Sequence, residues 1–180
     1  LEAPAIVRIF TPNKKIKVMS KSSEMYSKYG VEKATAMLCK SEDNDCVVRA
    51  VMNAFQVDYL DAHNFCENKL LRQYKMGTYV DRYLPYIHTA FNKSVVRLGV
   101  TRGLKHKVKV YNSIFDRTAT STQIKQIPMK VGEFVKANPT GNFLITVRGH
   151  AISLVNGVIS GNRGDGLKVN REIMSAYKIN

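Results

Sequence analysis

The 180-residue chain is long enough for one full-sized domain and too short for two comfortable ones. With 44% hydrophobic and 23% charged residues it has the composition of a globular protein, which excludes a disordered chain, and no apolar run approaches the ~18 residues that span a bilayer. Twenty-eight Lys and Arg against 14 Asp and Glu give a net charge of +14, a field that attracts polyanions.

The N-terminal stretch to about Ser23 is basic, with Lys14, Lys15, Lys17 and Lys21 after a Thr11-Pro12-Asn13 turn. Residues 1–40 are expected to form a basic arm packed on a catalytic domain of residues 41–180, with a short helix in the arm between Glu24 and Cys39. Ser41-Glu42-Asp43-Asn44-Asp45 then carries the side-chain oxygens that cap a helix start. The helix it opens, Cys46 to Phe55, is apolar on nearly every side and reads as buried. A second, amphipathic helix is expected from Asp58 to Tyr74. Residues 79–98 read as helical with an interruption at Pro85. Beyond Gly99 the pattern alternates through Val108 and Val110, as a strand does, toward a loop near Thr118–Thr122. A short helix over Val131–Ala137 precedes the Asn138–Gly141 turn. Phe143 to Val155 reads as one long strand, followed by Asn156-Gly157, the strongest short hairpin signal, and Val158-Ile159. Helices first and an antiparallel sheet last make the fold class α+β.

Three cysteines, Cys39, Cys46 and Cys66, form neither a zinc-ligand spacing nor a disulfide framework. The expectation is a reducing, cytoplasmic setting without metal or cofactor, and no secretory signal or membrane partner is expected. Cys46 is distinctive because it starts a helix, where unpaired N–H groups and the macrodipole stabilise a thiolate. The nearby acids Glu42, Asp43 and Asp45 oppose a further negative charge unless they face solvent or cap the helix. His150 stands between Gly149 and Ala151, two small residues that let the Cys46 helix approach closely, with Ala50 helping from the helix side. A cysteine at a helix start and a histidine on a downstream hairpin are the parts of a thiol–imidazole nucleophile.

Asn44 through Ala50, followed by a helix carrying Tyr59 and Ala62-His63, resembles the catalytic-helix region of papain-like cysteine peptidases, in particular small phage- and bacteria-borne ones. Gly141 to Ala151 with Val155 to Val158 resembles their histidine hairpin. The Asp43–Cys46 stretch with Arg49-Ala50 is also similar to the cysteine motif of ovarian-tumour-type deubiquitinases. The likeness covers about residues 41–75 and 131–165. It implies a papain-like fold and a cysteine peptidase or isopeptidase acting on a peptide or protein, with Cys46 as nucleophile and His150 as base. A phage or viral origin would place it in host cytoplasm or virion.

The resemblance also calls for an Asp or Asn that orients the histidine. A two-residue hairpin at Asn156-Gly157 sets Gly161 opposite Ile152, so Gly161 stands where an acid would be convenient. Asn162 ranks first and Asp165, in the Gly164-Asp165-Gly166 loop, second. For the oxyanion, Asn44 offers a side-chain amide beside the Cys46 N–H. The alternative reading is a basic, nucleic-acid-binding or virion-associated protein on an inactive scaffold. Its surface would be Lys93, Arg97, Arg102, Lys105, Lys107 and Lys109, which suits nucleic acid or an acidic partner.

Overall fold

A computed structural model describes residues 37, 42, 44–73, 75–112, 117–162, 165–167 and 169–180. The expected basic arm, its helix, Cys39 and Asp43 therefore lie outside the described residues, apart from Met37. The rest is a mixed α+β fold built on an antiparallel sheet.

Helix α1 runs Cys46–Phe55 and α2 runs Tyr59–Lys69. Asp58 caps α2 by accepting from the N–H groups of Leu60 and Asp61, which fixes its start. Its end falls five residues short of Tyr74, with the chain already non-helical at Leu70 and left-handed at Leu71. Helix α3 is a single turn, Val80–Tyr83, which passes into a 3-10 turn at Leu84–Tyr86. Pro85 has no N–H to continue a helical ladder, so the helix expected through residue 98 stops here. Strands β1 (Thr89–Ala90) and β2 (Lys93–Leu98) follow instead, joined by Phe91 and Asn92, both at positive φ.

Strands β3 (Thr101–Asn112) and β4 (Arg117–Pro128) form a separate two-stranded ribbon. The expected loop at Thr118–Thr122 is thus strand, as its β-branched threonines favour. Helix α4 (Val131–Ala137) leads to β5 (Asn142–Val147), β6 (His150–Val155), β7 (Val158–Ser160), a 3-10 turn (Asp165–Leu167) and β8 (Ile173–Ile179). The six-stranded sheet is ordered β1-β2-β8-β5-β6-β7.

The long strand expected from Phe143 to Val155 is two strands. Val147 pairs with His150 across a two-residue turn at Arg148-Gly149. Gly149 sits at φ +71, and a Cβ there would touch nothing within 4 Å. The glycine therefore serves the turn, while close packing falls to Ala151. At Asn156-Gly157 both residues have positive φ, and the register pairs Val155 with Val158.

Two cores lie on opposite faces of the sheet. α1 and α2 cover one, where Val48, Ala50 and Val51 meet Leu144, Ala151 and Tyr177. α4 covers the other, where Val131 and Phe134 meet Phe143, Ile145, Ile152 and Leu154. Alternation along β5 and β6 feeds both cores, so the run reads as continuously apolar.

Candidate active site

Cys46 is the first residue of α1, half-buried, and lines a cleft of about 480 Å³. The opposite wall is the β5–β6 turn, including Gly149 and His150. α1 packs directly on β6, through Ala50 on the helix and Ala151 on the strand. That contact delivers the helix start and the strand start to the same cleft, with Ala151 alone of the two small neighbours of His150 in the packing.

The imidazole is held by Asp165. His150 Nε2 lies 2.8 Å from Asp165 Oδ1, and the carboxylate side chain is only 1% exposed. Its other oxygen, Oδ2, accepts from the Asn162 backbone N–H at 2.6 Å. The Asp165 N–H returns a bond to the Asn162 carbonyl at 3.1 Å. Of the two candidates, Asp165 rather than the first-ranked Asn162 meets the imidazole: Asn162 braces the carboxylate through its backbone, and its buried side-chain Oδ1 has no hydrogen-bond partner among the described residues. The reason lies at Gly161. A Cβ on that residue would stand 2.4 Å from Asp165 Oδ2 and 3.8 Å from the Ile152 Cα. Asp165 thus fills, from the following loop, the space that the register leaves empty opposite Ile152. Hydrogen bonding through Nε2 leaves Nδ1 with no partner among the described residues.

Of the acids ahead of Cys46, Glu42 and Asp45 neither face solvent nor cap the helix. Asp45 holds the N-cap position yet makes no side-chain cap bond. Its Oδ2 accepts instead from Arg49 Nε at 2.7 Å and from Tyr59 OH at 3.0 Å, and the Arg49 guanidinium lies over the Tyr59 ring. Glu42 is buried against Arg72, which donates to its Oε2 and, at 3.2 Å, to the Asn44 carbonyl. His63 joins this pair, with Nε2 3.4 Å from Glu42 Oε1 and 3.2 Å from Arg72 Nη1. Burial pushes the Glu42 carboxyl up, but hydrogen bonding and charge from Arg72, with His63 adding, hold it below its ordinary value. Two arginines therefore offset the negative charges that would oppose a thiolate at Cys46. Tyr59 and His63, noted in the sequence only as part of a motif, are the supports of this arrangement.

Asn44 lines the cleft, and its Nδ2 donates to the Lys75 carbonyl at 3.2 Å. One amide hydrogen is thereby engaged and the other is free to point elsewhere. The N–H of Cys46, at the first helical position, has no acceptor within the helix.

The cleft also contains features the sequence did not single out. Met76, Tyr79 and Met174 line it with exposed apolar surface. Asp81, also on its wall, accepts from Tyr177 OH at 3.0 Å, from Thr146 Oγ1 at 3.1 Å and from Ser175 Oγ. Burial, with the Asp81 charge adding, pushes the Tyr177 phenol up to about 12, so it stays a donor. These hydroxyls come from β5 and β8 and meet α3 only in the folded chain, which left no local signal to read.

Cys66 is a different case. Burial pushes its thiol up to about 12, which makes it a small core residue. Among the described residues no cluster of His, Cys, Asp and Glu is arranged to hold a metal. No described helix is long and apolar enough to cross a membrane. A larger, more open depression of about 780 Å³ between α4 and β7 is lined by no cysteine or histidine.

No family model, curated protein or solved structure matches the chain.

Proposed function

We propose that the protein is a cysteine peptidase or isopeptidase of papain-like fold. The observation that carries this reading is the pairing, across one cleft, of a helix-start cysteine with a histidine anchored by a buried aspartate. Cys46 is the nucleophile and His150 the base, with Asp165 as the residue that orients the ring. With Nε2 held by Asp165, Nδ1 is the nitrogen available to the thiol.

The chemistry then follows two half-reactions. The Cys46 thiolate attacks the substrate carbonyl carbon while His150 carries the proton, and the oxyanion that forms is met by the Cys46 N–H and the free hydrogen of the Asn44 amide. Collapse breaks the C–N bond and His150 protonates the departing amine, leaving a thioester on Cys46. His150 then takes a proton from water, whose oxygen attacks the thioester carbonyl and frees the acid and the thiol. Met76, Tyr79 and Met174 give an extended chain apolar surface beside the nucleophile.

The test is the rate of Cys46 modification by iodoacetamide between about pH 5 and pH 9, with Cys46→Ala as the reference for other thiols. A fast reaction persisting at the acid end, and slowed there by His150→Ala, is the expected outcome. A profile that His150→Ala does not change would reject the thiol–imidazole pair. It would leave the alternative of a scaffold without the chemistry.

A further inference from the structure

No described residue of the β3–β4 ribbon lines the cleft. Its two strands of 12 residues pair only with each other and extend over about 40 Å at the usual rise of a strand. Between Thr101 and Pro128 stand Arg102, Lys105, Lys107, Lys109, Arg117 and Lys125, against one acidic residue, Asp116.

The register sorts this charge. Lys107 is opposite Thr122 and Lys109 opposite Thr120, while Lys105 is opposite Ile124. Residues directly opposite share a face, so Lys105, Lys107 and Lys109 form one row with Thr120 and Thr122 beside it. All five are exposed, and none of the three lysines has a hydrogen-bond or ion-pair partner among the described residues. The other basic residues expected on this surface are committed elsewhere or lie apart. Lys93 Nζ donates to the Phe55 carbonyl at 2.7 Å, Arg102 Nε lies 3.0 Å from Glu133 Oε2, and Arg97 is on β2 in the main sheet. On β3 the three lysines thus share one row on one face, with Lys125 on the other.

We propose that this face, Lys105, Lys107 and Lys109 with Thr120 and Thr122, binds the phosphodiester backbone of a nucleic-acid duplex. Ammonium and hydroxyl donors are the groups that contact phosphates. Successive lysines stand about 7 Å apart, close to twice the ~3.4 Å axial spacing of phosphates along one strand of a duplex. A two-stranded ribbon is also narrow enough for a major groove about 12 Å wide. Among the described side chains of the face, Ile124 is the one exposed large apolar group, short of the clustered anchors on which protein partners depend. Contacts of this kind, to phosphate oxygens, fix position and carry no sequence information.

The experiment is fluorescence anisotropy with the full chain and a labelled DNA duplex, its RNA counterpart and a labelled polyglutamate, across a salt series. Loss of three phosphate contacts in Lys105→Gln/Lys107→Gln/Lys109→Gln should reduce the slope of log K against log salt by about 2.7. Lys125→Gln, opposite Leu104 on the other face, should leave the slope near its original value. A greater affinity for one duplex than the other identifies which nucleic acid is bound. An unchanged slope in the triple variant, an equal loss in Lys125→Gln, or tighter binding of polyglutamate than of either duplex would overturn the proposal. Circular dichroism of both variants shows whether the ribbon remains folded.

Discussion

A methyl group at Gly161 would meet the Asp165 carboxylate at 2.4 Å, well inside any real carbon–oxygen contact. Gly161→Ala must therefore push Asp165 away from His150 without touching either Cys46 or the imidazole. The expected outcome is a fall in Cys46 alkylation at the acid end of the profile, matching that of Asp165→Ala. Misplacement of a reacting group by about 1 Å costs on the order of 10²-fold in rate. Asp165→Asn keeps the size of the side chain and one acceptor oxygen, so it should lose less than Asp165→Ala. Equal rates for Gly161→Ala and the parent protein would show that the carboxylate has another way to reach the ring.

At the scale of elements, the start of α1 is fastened by the turn that follows α2, through Arg72 to Glu42 and to the Asn44 carbonyl. Glu42 is held below the ordinary carboxylate value, 4.5. The sign follows: its contribution to stability is complete above about pH 4.5 and is lost as the pH falls through the lower value of the folded state. Thermal unfolding should weaken over that acid window in the parent protein. Glu42→Gln should remove this pH step and, by leaving Arg72 buried without a carboxylate, cost about 3–5 kcal/mol at neutral pH. A melting curve insensitive to Glu42→Gln would mean that Arg72 finds another acceptor.

The same elements show what a sequence can disclose. Helices α1 and α4 were legible from their apolar patterns, and the Asn156-Gly157 turn from its two residues that tolerate positive φ. Cys46 was legible because it opens such a helix, and His150 because it interrupts an apolar run between two small residues. The Arg148-Gly149 turn was hidden, since strands buried on both faces leave no alternation to mark their limits. Asp165 was ranked second because strand register says nothing about a loop that folds back over a glycine. Phe91-Asn92 gave no hairpin signal, as phenylalanine is an uncommon residue at positive φ.

For the molecule as a whole, the cores on the two faces of the six-stranded sheet are complete without β3 and β4. Leu98, Val100 and Met129, which flank the ribbon, pack against the α4 side. The Met129 N–H already donates to the Val100 carbonyl at 2.8 Å, so the chain ends at the ribbon's base are hydrogen-bonded neighbours. Replacing residues 101–128 with Asn-Gly should therefore close the gap as an ordinary hairpin turn. The principal ion pair lost is that of Arg102 with Glu133, both more than a third exposed and worth at most about 1 kcal/mol. In a domain of this size such a change moves the melting temperature by about 2–4 °C. The shortened protein should keep the Cys46 alkylation profile of the parent while losing its duplex binding. That outcome would separate a catalytic body from a basic arm that brings it to nucleic acid. Failure of the shortened chain to melt cooperatively would instead make the ribbon part of the fold, and loss of the alkylation profile alone would tie it to the cleft.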